Sequence, residues 1–332
     1  MRILRKYNEV PAECRGLVLA IGNFDGVHRG HQSVIAHAQE EAKLRNVPAG
    51  VLTFEPHSRE FFAPNAPAFR LSDLETKAAH LNWLAVDVMA ALRFDLPFSQ
   101  KSAEEFVKDV LVDGFQVSHV VVGYDFIFGH KRQGTTVILA ELAKKYGFGL
   151  TVVEPVGVDT LIYSSTAIRE CLSDGAPKRA AKLLGHWWEV EGRVIEGDKR
   201  GRTIGFPTAN IPITHYHPPK LGVYAVRVGL HENHSTTWVD AVANYGNRPT
   251  FDKKDVLLEV HLLDFDGDLY SQKIRVAFVD FIREEKKFSG IDELETQIHK
   301  DVETARILLK QEGSEQEKYA DKKIKGTENL KN

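Results

Sequence analysis

Sulfur is scarce in this chain: its 332 residues include two cysteines, Cys14 and Cys171, and two methionines. Without a CxxC pair or a mixed His/Cys ligand spacing, neither a disulfide framework nor a zinc finger can be built, and a reducing cytoplasm is the expected setting. Long apolar runs are also missing. Nothing approaches the ~18–20 consecutive apolar residues of a membrane-spanning helix, and the opening MRILRKYNEV lacks the apolar core and small-residue cleavage site of a secretion signal. A membrane partner, secretion and anchoring are therefore not expected. Excess charge is missing too: 43 Lys and Arg face 46 Asp and Glu, a net of -3, so no broad attraction for nucleic acid is expected. Neither GxxxxGK[ST] nor GxGxxG occurs, which excludes a P-loop enzyme and a standard dinucleotide dehydrogenase.

With 43% hydrophobic and 27% charged residues, the composition is that of a globular protein. The length is about twice that at which one core usually stops growing, so two domains are expected. Apolar runs at 17–21, 50–54, 86–92, 119–122 and 150–153 alternate with helix-length segments, which predicts a parallel, doubly wound α/β sheet. In 31–44, Val34, Ile35, Ala38 and Ala42, with Leu44 as a further candidate, recur at three- and four-residue steps and predict one buried helical face. Segments 102–112 and 137–146 read the same way. After about residue 184 the texture changes to short runs, at 187–195, 222–228, 239–243, 257–263 and 274–282, separated by turn residues. That pattern predicts an antiparallel barrel or sandwich. A helix over 292–310 closes it, with Leu294, Ile298, Val302, Ala305 and Leu308 on one stripe. Residues 311–332 hold five acidic and five basic side chains and few apolar ones, and are expected to form a disordered tail. The expected domains are thus 1–184 and 185–310.

The most informative segment is GNFDGVHRGH, residues 22–31, between the first apolar run and the first amphipathic helix. In a parallel sheet this junction lies at a strand's carboxyl end, where open α/β folds bind ligands. Its glycines allow close backbone approach, and the free N–H groups of a helix start favour an anion. His28 and His31, three apart, can point at one phosphate and stabilise a displacement at phosphorus. A Gly-rich turn with two solvated histidines is the plainer alternative, and an HxxH zinc site lacks a third ligand cluster. Glu55-Pro56-His57, Gly123-Tyr124-Asp125 and Ser164-Ser165-Thr166-Ala167-Ile168-Arg169 end further strands in the same sense. The Ser/Thr run can cap a helix and present hydroxyls to a triphosphate while Arg169 reaches a phosphate; taken alone, it equally reads as a capped helix.

In the second half, GDKRGRTIGFPTAN, residues 197–210, is too rich in Gly and basic residues to be one regular element. It reads as a phosphate-surrounding loop, or simply as a basic surface loop with a turn at Phe206-Pro207. Thr208 and Asn210 are two apart, so on an extended segment their oxygens share a side, as a magnesium site requires. In VLLEVHLLD, residues 256–264, Glu259 interrupts an apolar strand. Such a carboxylate either faces solvent beside His261 or serves as a base for a substrate hydroxyl.

Residues 22–31 together with Ser164–Arg169 resemble the adenylyltransferase module of bacterial bifunctional riboflavin kinase/FAD synthetases. The GRxxGFPTAN loop, Gly222-Val223-Tyr224, Asn244-Tyr245-Gly246-Asn247-Arg248-Pro249-Thr250-Phe251 and Glu259 within LEVHLLDF resemble the riboflavin kinase module of the same family. The resemblance runs in order over residues ~15–310. It implies a nucleotidyltransferase-type α/β domain followed by a six-stranded Greek-key barrel with a C-terminal helix, which phosphorylates riboflavin to FMN and adenylylates FMN to FAD. By the resemblance, His28 and His31 contact the ATP phosphates, and Ser165, Thr166 and Arg169 hold the β- and γ-phosphates. Gly22, Asn23, Phe24, Asp25, Gly30, Asp125 and Ser164 line the first nucleotide or flavin site. In the barrel it implies Glu259 as general base, Mg²⁺ on Thr208 and Asn210, and Gly201, Arg202 and Gly205, with Lys199 and Arg200, near the phosphates. ATP, riboflavin, FMN and FAD are the small molecules implied, handled by a monomer or weak homo-oligomer. Departures from the family pattern stand at Ser58, at Tyr124 and Ile127 around Asp125, and at Ser271, where Gly is common. Two other readings stand beside this one: a single active half supported by the other, and a flavin- or nucleotide-binding module without turnover.

Overall fold

The computed structural model describes residues 1–158, 161–197, 201, 204–232, 235–247 and 256–312. The expected tail thus lies, from residue 313 on, outside the described residues. The chain divides into two compact units, one formed by Met1–Ala66 with Lys77–Tyr163, the other by Pro67–Thr76 with the residues from Ser164 on.

In the first unit, β1 (Arg2–Leu4), β2 (Val18–Ile21), β3 (Ala49–Glu55), β4 (Val88–Arg93), β5 (His119–Gly123) and β6 (Gly149–Val153) form one sheet in the order β1-β4-β3-β2-β5-β6. Every neighbouring pair is parallel. The five expected runs all become strands within two residues of their predicted ends. Three-residue β1 was not expected, because it is too short to display a period. β2 and most of β3, β4 and β5 are buried residue after residue, as parallel strands covered on both faces require. Helix α1 (Arg29–Arg45) buries Val34, Ile35, Ala38 and Ala42. Leu44, only two residues past Ala42 and so about half a turn round the helix, is 80% exposed. Asn46 ends α1 in the left-handed conformation.

Short α2 (Ser58–Phe62) follows β3, and α3 (Leu74–Trp83) enters this unit at Lys77. Between β4 and β5 lie α4 (Leu96–Ser99) and α5 (Ala103–Glu105), the latter opened by a reciprocal Ser102/Glu105 capping box. The segment expected as one helix over 102–112 continues from α5 as a π-helical stretch, Phe106–Gly114, that buries Phe106, Val107, Val110 and Leu111. Helix α6 (Thr136–Tyr146) precedes β6, and a small hairpin, β7 (Gly157–Val158) with β8 (Leu161–Ile162), ends the unit.

The sheet order carries the functional consequence. The chain moves from β2 through β3 to β4 on one side, then returns to place β5 against the other edge of β2. The carboxyl ends of β2 and β5 therefore flank a topological switch point, where such sheets open a crevice.

In the second unit, α7 (Ser165–Ser173) and α8 (Pro177–Leu184) precede an antiparallel sheet. Its strands are β9 (Trp188–Arg193), β10 (Ala209–Ile211), β11 (Gly222–Glu232), β12 (Ser235–Asn247), β13 (Val256–Leu262) and β14 (Lys273–Arg283), in the order β10-β13-β12-β11-β14-β9. β11, β12 and β13 form a meander and β14 returns beside β11, which is the Greek-key connection. Just beyond β9, the Ile195 N–H donates to Asn210 O at 2.9 Å and brings the two sheet edges together as a barrel.

The terminal helix α9 (Ile291–Gln311) buries Ala305 and Leu309 against Val223, Ala225, Val242, Ala277 and Val279 of the sheet. The predicted apolar stripe left out two buried residues, Leu309, one position past Leu308, and Asp301. Its carboxylate takes a forked interaction from Arg283 (2.7–3.1 Å) and accepts from Gln297 Nε2 at 2.9 Å. Segment Pro67–Thr76 is fastened to the barrel's own residues: Trp188 Nε1–H donates to Leu71 O at 2.9 Å and the Tyr216 hydroxyl to Asp73 Oδ2 at 2.7 Å. Ser271 has φ 62°, the left-handed region that glycine enters freely, which explains why glycine suits that position.

Candidate active sites

At the switch point of the first unit, residues 22–27 turn sharply. Phe24 (φ 48°), Gly26 (φ 80°) and Val27 (φ 43°) all have positive φ. A bulky and a β-branched residue in that region store strain, so the surroundings must hold the turn in place. Phe24 and Val27 are buried, the Val27 N–H donates to Phe24 O at 3.2 Å, and Gln32 Nε2 donates to Val27 O at 2.9 Å. The turn delivers His28 to the N-cap of α1, where its Nδ1 accepts the His31 N–H at 3.3 Å. That role requires an unprotonated Nδ1 and leaves Nε2 to carry the proton as a donor.

The imidazoles of His28 and His31 stack with centroids 3.5 Å apart and planes 21° apart, and Phe24 lies 5.2 Å from His31. His28 is only 6% exposed. His31 Nδ1 is buried with no hydrogen-bond partner among the described residues. Burial, then the neighbouring His28 and Lys77, hold the His31 pKa well below the usual histidine value. These are not the solvated histidines of the plainer reading. Neutral, stacked at a helix start and water-poor, they can donate to an incoming phosphate without first giving up a hydration shell.

Around the pair, Asp25 is buried, Asn23 and Asp125 are exposed, and Gly22 and Gly30 are partly buried. A Cβ on Gly30 would meet the His28 ring and Tyr163 O, each at 3.1 Å. Tyr163 precedes Ser164 in the chain. Ser164, Ser165, Thr166 and Arg169 open α7 and group with the second unit, so they are described there. Ser164 caps α7, its Oγ accepting the Ala167 N–H at 3.2 Å, while Ser165 and Thr166 form the first turn. Arg169 donates Nε–H to Phe69 O at 2.6 Å, with its guanidinium 5.3 Å from the Phe69 ring.

Sequence reasoning did not anticipate an aromatic shelf at the carboxyl ends of β3 and β4. Phe54, Phe61, Phe62, Phe94 and Phe98 meet with ring centroids 5.2–5.8 Å apart, and Phe62 stands mostly exposed. The clustering of phenylalanines just after two strands was the available signal.

In the barrel, strand register assembles the second site. Glu259 on β13 lies opposite Asn210 on β10 and opposite Asn244 on β12, so three polar residues form one cross-strand row. Glu259 is partly buried, on the same face of β13 as the partly buried His261, between buried Leu258 and Val260. Asn210 is 3% exposed, and its Oδ1 has no hydrogen-bond partner among the described residues. Thr208, two residues earlier, is partly buried. A buried orphan amide oxygen, with a hydroxyl two residues earlier in the chain, is the hard-oxygen chemistry that suits Mg²⁺ held jointly with substrate phosphates. Among the described residues no group of three His, Cys, Asp or Glu side chains could hold a metal by itself.

The loop leading to Thr208 is held locally. Gly201 allows Phe206 O to approach where a Cβ would lie at 2.2 Å, and Gly205 has φ 80°. Phe206 packs edge-on against His261 (5.3 Å) and His299 (4.9 Å), and His261 Nδ1–H donates to Pro207 O at 2.8 Å. Arg202, Lys199 and Arg200, and residues 248–251 of the second motif, lie outside the described residues.

A parallel sheet with stacked histidines at its switch point, joined in one chain to a Greek-key barrel with an acid opposite a buried Asn, is the layout of a two-site transferase. The sequence model of the FAD synthetase family matches residues 10–167, and that of the riboflavin kinase family matches residues 184–309. Curated relatives named bifunctional riboflavin kinase/FMN adenylyltransferase include those of Haemophilus influenzae, 43% identical over 93% of this chain and 99% of theirs, and Escherichia coli K12, 42% identical over 92% and 96%. A crystal structure described as a macrolide-efflux protein from Streptococcus pneumoniae superposes with a TM-score of 0.81 at 30% identity, covering 92% of this chain and 98% of that one. Among the described residues no helix is long and apolar enough to cross a membrane. The chain belongs to the bifunctional riboflavin kinase/FMN adenylyltransferase family.

Proposed function

We propose that the two sites divide a two-step synthesis: the barrel row serves phosphorylation of riboflavin to FMN, and the switch-point site serves adenylylation of FMN to FAD with release of pyrophosphate. The chain is a bifunctional transferase that uses ATP in both steps. Residues 1–184 make up the FMN adenylyltransferase domain and residues 185–310 the riboflavin kinase domain, in a cytoplasmic enzyme whose partners are small molecules.

In the kinase step, Glu259 accepts the proton of the ribityl 5′-hydroxyl as its oxygen attacks the γ-phosphorus and ADP leaves. Asn210 and Thr208 would hold Mg²⁺, which when bound neutralises charge on the ATP phosphates. Phe206, wedged between His261 and His299, keeps Thr208 and Asn210 in register with Glu259. In the adenylylation step, a phosphate oxygen of FMN attacks the α-phosphorus of ATP and the bond to pyrophosphate breaks. No covalent enzyme intermediate is needed. His28 Nε2–H, His31 and the N–H groups opening α1 stabilise the displaced charge; Ser165, Thr166 and Arg169, at the start of α7, are the residues that the family resemblance assigns to the β- and γ-phosphates. Asn23, Asp25 and Asp125 line the nucleotide pocket, and the phenylalanine shelf offers the isoalloxazine a stacking surface.

One observation carries the residue assignment: the Asn210–Glu259–Asn244 row, in which a buried unpaired amide oxygen lies opposite the only acid of its strand. The test is to incubate purified protein with riboflavin, ATP and Mg²⁺ and to resolve the flavins by chromatography with fluorescence detection. FMN followed by FAD is expected. FMN alone would remove the switch-point assignment, and neither product would favour a binding module.

A further inference from the structure

The adenylylation mechanism leaves one buried charge unused. Lys77, in α3, is 3% exposed. Its Nζ donates to Asn23 O at 2.8 Å and to Thr53 Oγ1 at 3.3 Å, and the Thr53 hydroxyl, itself fully buried, donates to the same Asn23 O at 3.0 Å. Asn23 opens the strained turn that sets His28 at the start of α1, so two donors converge on the carbonyl from which three positive-φ residues follow within four positions. Burying an ammonium is costly, and a neutral donor would secure the turn as well. A charge is retained where it does something further. Here it is felt at His31, together with burial and with His28 from the same helix.

We propose that Lys77 is a positioning residue for adenylyl transfer, tying the Asn23 turn to β3 and setting a fixed positive charge beside the histidine pair. Lys77 acts through the turn, and ATP is gripped by other groups. Its loss should therefore disturb the alignment of the reacting atoms more than the binding of ATP. The inference rests on the FMN adenylyltransferase reading of this unit, and its test keeps the two separate.

In the full-length chain, Lys77→Met should lower kcat for FAD formation from FMN and ATP about 30- to 100-fold, leaving the KM for ATP within about threefold and FMN formation from riboflavin within about twofold. Lys77→Arg, which keeps the charge, should recover activity to within about fivefold of wild type, and Thr53→Val, which removes one donor, should cost about three- to tenfold. FAD turnover of Lys77→Met within threefold of wild type would overturn the proposal. So would a failure of Lys77→Arg to exceed Lys77→Met. Should Lys77→Met not fold, Thr53→Val decides: a three- to tenfold loss of FAD formation with the KM for ATP unchanged supports the tether to the Asn23 turn, and a change below twofold would overturn it. If wild type makes no FAD from supplied FMN, it is the adenylyltransferase reading that fails, an outcome distinct from a variant matching an active wild type.

Discussion

The two units place their chemistry differently on their strands. In the parallel sheet, the candidate residues all lie beyond strand ends, whereas in the barrel Glu259 and Asn210 sit within strands. A strand buried on both faces has no position where a carboxylate could stay hydrated or reach substrate, so polar function is pushed to the carboxyl ends. An antiparallel barrel strand has one face in the core and another only partly covered, so a mid-strand acid can be reached from outside. Burial also marks both sites: it holds His31 neutral, and it leaves the Asn210 oxygen without a hydrogen-bond partner among the described residues.

The strongest way to break this comparison is a reciprocal pair of variants. Glu259→Gln should cut FMN formation by about 10²–10⁴-fold and leave conversion of supplied FMN to FAD within about twofold. His28→Ala should show the mirror defect, a loss of about 10²–10³-fold confined to FAD formation. Parallel loss of both activities in either variant would refute independent sites. Next in size is Asp301→Ala, which leaves the forked Arg283 without its acid. It should cost the barrel about 3–5 kcal/mol, read as a lower inactivation temperature for the kinase activity, while the adenylyltransferase activity persists to higher temperature.

A smaller effect separates the units by pH. His31 and His119 have depressed pKa values in the folded first unit, chiefly through burial. Below about pH 6.5 the unfolded chain takes up protons that the folded unit refuses, so the first unit loses stability as pH falls from there toward the folded values. In the second unit, Glu191 is pushed up by burial and by nearby Asp73 and Glu75, although Lys273 partly offsets this. A raised carboxylate favours the folded form as pH falls toward the ordinary glutamate value. Between pH 7.5 and 5.5, heat inactivation of FAD formation should therefore shift to lower temperature by more than that of FMN formation; a reversed order would contradict the assignment. Smallest is Ser271→Gly, which relieves a left-handed serine and should stabilise the barrel by up to about 1 kcal/mol, seen as a slightly higher melting temperature.

Much of the architecture was legible in the chain because it rests on local periodicity. Five apolar runs separated by helix-length segments announced the parallel sheet, and short runs between turn residues announced the barrel. β1 escaped because three residues cannot show a pattern, and Asp301 because a charged residue on an apolar stripe is legible only when its Arg283 partner is known. His28 and His31 could be found from spacing within one turn of helix. Lys77 could not, since α3 offers no sign that its one lysine is buried beside a turn more than fifty residues earlier.

What the amino-acid order settled by itself was therefore whatever acts over a few neighbouring residues: the strand and helix segments and the glycine turn. Tertiary structure alone decided which strands became neighbours. Register placed Asn210 and Asn244 on either side of Glu259, and burial set a lysine near two stacked histidines, one of which it holds neutral. Cross-strand partners and desolvation depend on contacts between residues far apart in sequence, and those contacts exist only once the chain has folded.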